Sequence, residues 1–169
     1  MTKLIPIAIT ILRCADRYLF IERSNPPYEN LWSMVGGKVR LGEHIRRAAI
    51  REVMEETGAP ELTNYQYRGF VSERLIEPDG SLSSHFLIFV SYAEIPSFQE
   101  THREGNLALF TLSDIQSLKE QFLPSDYQMF MCFKEAESTG SSYEAELLHN
   151  TTGYQLVYYR EACDEIRRN

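Results

Sequence analysis

The chain opens on a nearly unbroken apolar run. Residues 4–12 (LIPIAITIL) are β-rich, as a buried strand would be. Cys14-Ala15-Asp16-Arg17 reads as a turn, and residues 18–22 (YLFIE) as a second strand, so the two predict a hairpin closed by Arg23. Residues 24–30 (SNPPYEN) carry two prolines and no periodicity, which predicts a loop. The rhythm then changes. Ile45, Ala48, Ala49 and Val53 recur at helical spacing, predicting a helix over 44–57 with Gly42 as a turn before it and Gly58 as a left-handed C-cap. Residues 65–76 and 83–93 flank Glu77-Pro78-Asp79-Gly80 and predict a second hairpin. A strand over 107–112, a short helix over 113–120 capped by Ser113, and a helix over 126–134 follow. After a polar break at 137–142, residues 143–149 and 154–160 predict a third hairpin, with tyrosines at 143, 154, 158 and 159.

The helix over 44–57 carries acids where its apolar stripe should run. At about 100° per residue, Glu52 and Glu56 fall inside the apolar arc and Glu55 lies at its edge. Acids near a helix C-terminus oppose the macrodipole, and like charges four residues apart repel. Pairs such as Glu43–Arg47 and Arg51–Glu55 offset part of that cost, but they do not explain carboxylates at core positions. Clustered carboxylate oxygens are the hard ligands that Mg²⁺ or Mn²⁺ prefers.

Composition narrows the partners. With 169 residues, 43% hydrophobic and 24% charged, the chain fits one soluble globular domain. A net charge of −7 is a poor footprint for DNA or RNA, so no nucleic acid is expected. A small polyanion remains compatible, because a metal can carry the opposing charge. Cys14, Cys132 and Cys163 are widely spaced and odd in number, which predicts free thiols in a reducing compartment. The apolar start is too short for a secretion signal or a membrane span. The expectation is a cytoplasmic protein with no membrane partner.

Gly37, Glu43, Arg51-Glu52-Val53, Glu55-Glu56 and Gly58-Ala59 stand at the spacing G-x5-E-x7-R-E-U-x-E-E-x-G-U, where U is a bulky aliphatic. This resembles the Nudix box. Every fixed polar and glycine position is met, and only Ala59 is smaller than the usual final aliphatic. The resemblance implies an α/β (α+β) fold, the Nudix α/β/α sandwich with a central mixed sheet flanked by helices. Residues 1–136 would form that domain, and 137–169 a hairpin extension packed on it or on a second subunit of a homodimer.

It also implies a metal-dependent hydrolase in which water attacks phosphorus within a diphosphate. Glu52, Glu55, Glu56 and a carbonyl of Gly36 would hold Mg²⁺ or Mn²⁺. Arg51 and Glu43 would support them, and Gly37 would let substrate approach the backbone closely. Glu104, with Glu100 behind it, would complete the metal shell or act as base, and Glu52 is the base if no loop glutamate does this. Arg23 matches a residue that reaches substrate phosphates, though a surface pair with Glu22 or Glu29 is an equal reading. Asp126 matches a reader of a purine edge, although an N-cap at Ser125 or Asp126 is the favoured reading. A cross-strand ion pair is favoured for Glu73 over a place at the metal cluster, a structural role or a substrate-edge contact for His85 over metal ligation, and packing beneath the box for Trp32. The expected substrate is a nucleoside triphosphate or modified nucleotide, with ADP-ribose and nucleotide sugars as alternatives. A non-catalytic regulator fits less well, since the carboxylates are complete. An isoprenoid diphosphate isomerase lacks a suitably placed cysteine, and RNA decapping is disfavoured by the acidic charge.

Overall fold

The computed structural model describes residues 2–99, 101–102, 105–135 and 140–162. Its elements are β1 (Lys3–Cys14), β2 (Arg17–Arg23), β3 (Trp32–Ser33), β4 (Val35–Lys38), α1 (Ile45–Thr57), β5 (Thr63–Ile76), β6 (Leu82–Glu94), β7 (Thr101–His102), β8 (Gly105–Phe110), α2 (Leu112–Ser117), α3 (Pro124–Phe133), β9 (Ser141–Asn150) and β10 (Gly153–Glu161). The strands join one mixed, curled sheet in the order β10-β9-β5-β6-β1-β2-β8-β7, with β3 on β2 and β4 on β1. The β1–β6 and β5–β9 pairs are parallel and the others antiparallel.

Strand β1 shows why helices cover both faces. Its side chains alternate. Ala8 packs with Ala48 and Ala49 of α1, and Leu12 with Val53. Ile9 and Ile11 point the other way, into a larger core with Met129, Phe130 and Phe133 of α3. The alanines at the first contact leave little side chain between helix and strand. One edge of β1 is also divided: Ile7–Thr10 pairs with Lys38–Val35 of β4, and Leu12–Cys14 with Leu19–Arg17 of β2. That division places the glycines of β4 directly beside the α1 carboxylates.

All three hairpins form. Their strands run somewhat longer than the apolar pattern alone suggests. Helix α1 ends on Gly58, whose φ of 63° is the left-handed cap. Three local expectations are corrected. Thr111, not Ser113, caps α2, because Thr111 and Asp114 close a reciprocal capping box. Helix α3 begins at Pro124 with Leu123 as N-cap and no side-chain cap, so neither Ser125 nor Asp126 is a cap. Trp32 does not pack beneath the box: its ring meets Phe110 edge-on at 5.0 Å, in the core on the α3 face. The C-terminal hairpin continues the sheet, since β9 adds in parallel to β5 and buries Ala145 and Leu147.

Candidate active site

Helix α1 presents its acids at graded depth. Glu56 is buried, Glu52 is partly buried, and Glu55 is half exposed. The Gly36 amide donates to Glu56 Oε2 at 3.0 Å, fixing that carboxylate against β4. The Glu52 carboxylate rests on Gly37, where an added Cβ would stand 2.6 Å from Oε2. A side chain at this position would push the Glu52 carboxylate out of that place.

Arg51 organises the group. Its Nε and Nη2 donate to the two oxygens of Glu43 at 2.8 and 2.9 Å, a bidentate fork. Nη1 donates to Glu52, and to Glu55 at 3.1 Å. Nη2 also reaches the Lys38 carbonyl at 3.1 Å. The expected Glu43–Arg47 pair gives way to this fork. Hydrogen bonds from Arg51 and from the Arg40 amide pull the Glu43 carboxyl down to about 2. Glu55 turns outward to Arg51 and Arg40 and does not line the cavity beside its neighbours.

That cavity holds about 510 Å³. Glu52, Glu56, Gly36, Gly37 and Lys38 line one part. Arg23, Pro26, Pro27, Tyr28 and Ser33 contribute from the loop and the strands on either side of it. Ile5, Ile7, Ile9, Phe86, Ile88, Leu123 and Met129 supply apolar wall, with Glu73 and Asp126 among them. Arg23 therefore belongs to the cavity rather than to a surface pair with Glu22 or Glu29, and its Nε is buried without a hydrogen-bond partner.

Asp126 and Glu73 depart from the roles their sequence positions favour. Asp126 Oδ2 accepts the Met34 amide at 2.8 Å, and burial raises its carboxyl to about 6. Glu73 makes no cross-strand ion pair, because its partners in register are Phe86 on β6 and Ala145 on β9. Burial, against the favourable influence of Ser125, pushes its carboxyl up to about 8. The proposed structural role of His85 agrees with its 2.8 Å contact to Ser72 across the hairpin. Glu100 and Glu104 lie outside the described residues. Tyr28 and Ser33 carried no sequence signal: one sits in a proline loop and the other in a two-residue strand.

The donor set tests well for a hard cation. Carboxylate oxygens of Glu52 and Glu56 beside the Gly36–Gly37 backbone are oxygen ligands of the kind Mg²⁺ and Mn²⁺ take. Among the described residues, no three acid, histidine or cysteine side chains already converge as a closed cage.

The family model described as the NUDIX domain matches residues 3–131. The chain therefore belongs to the Nudix hydrolases, pyrophosphohydrolases that act on phosphorus-containing anhydrides. It is 31% identical over 166 residues to the Nudix hydrolase YvcI of Bacillus subtilis (strain 168), covering 95% of this chain and 96% of that one. Among solved structures it is similar to a MutT protein from Bacillus halodurans (TM-score 0.70, 22% identity, covering 94% of this chain and 97% of that one). It is also similar to a bifunctional NMN adenylyltransferase/ADP ribose pyrophosphatase from Francisella tularensis complexed with AMP and a Mn ion (TM-score 0.61, 19% identity, 78% of this chain and 41% of that one). These two likenesses are of fold. No helix among the described residues is long and apolar enough to cross a membrane.

Proposed function

We propose that this chain is a divalent-metal-dependent hydrolase of a nucleoside triphosphate or nucleoside diphosphate derivative, cleaving the diphosphate by attack of water at phosphorus. The observation that carries the reading is one cavity with two chemistries. Glu52, Glu56 and the glycine backbone supply oxygen ligands, while apolar wall with Arg23, Glu73 and Asp126 supplies a place for the rest of a nucleotide.

Each residue has a task. Glu52, Glu55 and Glu56, with a carbonyl of Gly36, are the proposed metal-binding set. A bound Mg²⁺ or Mn²⁺ would neutralise phosphate oxygens and lower the pKa of a coordinated water. Arg51 keeps Glu52 aimed at Gly37 by anchoring itself on Glu43, so Glu43 acts at one remove. Glu55, held outward by Arg40 and Arg51, has to exchange those partners to join the set. Arg23 would meet substrate phosphate, and Asp126 would accept from the edge of a purine; both line the same cavity. Glu52 and Glu104 are the two candidates for the base.

A screen with product identification tests the reading. Nucleoside triphosphates, ADP-ribose, nucleotide sugars and 5′-triphosphorylated RNA would be incubated with Mg²⁺ and with chelator. Metal-dependent release of orthophosphate or pyrophosphate from a triphosphate is expected. Sugar phosphate as the product would move the assignment to ADP-ribose or a nucleotide sugar. Saturable binding without turnover in any arm would leave a regulator.

A further inference from the structure

Buried polar atoms without partners are few in folded proteins, because each one left unpaired is costly. Here four of them, Arg23 Nε, Tyr28 Oη, Ser33 Oγ and Glu73 Oε2, belong to residues lining the same cavity. Of these, Glu73 is the hardest to explain as structure. It lies on β5 between Val71 and Leu75, with Phe86 and Ala145 beside it in register, and is only 2% exposed. A core position would take an apolar residue. Ser125 approaches closely enough to influence the carboxyl, but its Oγ has no hydrogen bond of normal geometry.

We propose that Glu73 is a specificity-determining residue that reads the edge of the substrate's heterocyclic base from the α3 side of the cavity. This rests on the nucleotide reading above and names the group that would enforce it. Its carboxyl is neutral at neutral pH, since burial, and then the nearby Asp126, raises it. A neutral carboxyl donates through one oxygen and accepts through the other. That pair complements an N–H beside a ring nitrogen or carbonyl oxygen, a pattern that nucleobases carry and a bare sugar phosphate lacks. Asp126, already holding the Met34 amide, adds acceptor capacity, and Arg23 Nε adds a donor. The surrounding isoleucines and phenylalanine provide flat apolar contact but no selection among rings.

The test uses Glu73→Gln and Glu73→Leu in the full chain. Gln keeps the shape, neutrality and paired donor and acceptor; Leu keeps only bulk. Binding of adenosine, guanosine, cytidine and uridine 5′-monophosphates would be measured by calorimetry, with ribose 5-phosphate as a base-free probe. For the mononucleotide that wild type binds best, Leu is expected to weaken binding by about 10- to 100-fold, the range for an unmatched buried polar contact. Gln should stay within about threefold, and ribose 5-phosphate should be unaffected by either change. The melting temperature of Glu73→Leu should hold or rise, because an unpaired buried carboxyl is gone. The proposal is overturned if Leu leaves mononucleotide binding and selectivity intact, or if Gln loses as much as Leu. It is likewise overturned if ribose 5-phosphate binding falls in parallel. These failures differ from that of the nucleotide reading, which shows as absent nucleotide turnover in wild type.

Discussion

At the scale of single residues, depth separates three glutamates that look alike in sequence. Glu56 sits in the wall with one oxygen tied to the Gly36 amide. Replacing it by Gln keeps an acceptor for that amide and removes the charge. Glu56→Gln should therefore melt within about 2 °C of wild type, as expected of a change that leaves packing intact. Its magnesium affinity by calorimetry should fall, together with about 100-fold in kcat, the scale of losing one electrostatic contributor. Unchanged magnesium uptake would remove Glu56 from the proposed set. Arg51 offers a different test, since it touches Glu43, Glu52, Glu55 and the Lys38 carbonyl at once. Lysine keeps the charge but not the fork. Arg51→Lys should lower kcat/KM by about tenfold or more while KM moves little, because its effect runs through the aim of Glu52. An equal rise in KM would instead make Arg51 a substrate contact.

Elements show where sequence reading succeeds and where it stops. The acid-bearing face of α1 was legible because helical spacing is a local property, and the box spacing reinforced it. The hairpins were legible from turn residues. What escaped was set by partners distant in sequence. Nothing in YQYRGFVSERLI tells which face of β5 will meet α3, so the ion-pair expectation for Glu73 failed against Phe86 and Ala145. Asp126 looked like a cap because it opens a helix; its actual partner, Met34, is 92 residues away. Trp32 went to the α3-side core for the same reason.

The C-terminal hairpin gives the clearest case. Tyr154 on β10 packs edge-on against Tyr28 at 4.7 Å and accepts the Tyr28 amide at 3.3 Å. It thus braces the proline loop that walls the cavity. Tyr154→Ala should raise KM for the preferred nucleotide several-fold with kcat nearly kept, a loss of uniform binding. Steady-state kinetics that show a fall in kcat alone would argue that the brace acts elsewhere. At α2, Thr111→Ala removes the capping hydroxyl and should cost about 1 kcal/mol in urea denaturation with catalysis untouched.

For the whole molecule, the cavity leaves a mark on stability against pH. Glu43 and the Glu73–Asp126 pair push in opposite senses. Glu43 is held down at about 2, so its contribution is complete above its ordinary 4.5 and is lost as pH falls toward 2. Asp126 and Glu73 are raised, to about 6 from 3.8 and to about 8 from 4.5. In that range the folded state binds more protons than the unfolded chain. Their contribution is therefore present below about pH 4 and declines as pH rises through about 6 and then about 8. The two trends place the stability maximum on the acid side of neutrality, with a downward slope from about pH 5 to 8. Removing the charge at one site separates the terms. Glu73→Gln should flatten the upper part of that slope, by a few kcal/mol of unfolding free energy at pH 8 on the scale of 1.36 kcal/mol per pKa unit. It should leave where it was the acid limb, to which Glu43 contributes together with Glu77, Asp79, Glu94, Asp114 and Glu135, all held below their ordinary range by hydrogen bonds. Thermal melts of wild type and variant from pH 3 to 9 would read both limbs. Parallel curves throughout would mean that Glu73 is ionised in the folded protein, and the neutral carboxyl that the base-reading role requires would be lost with it.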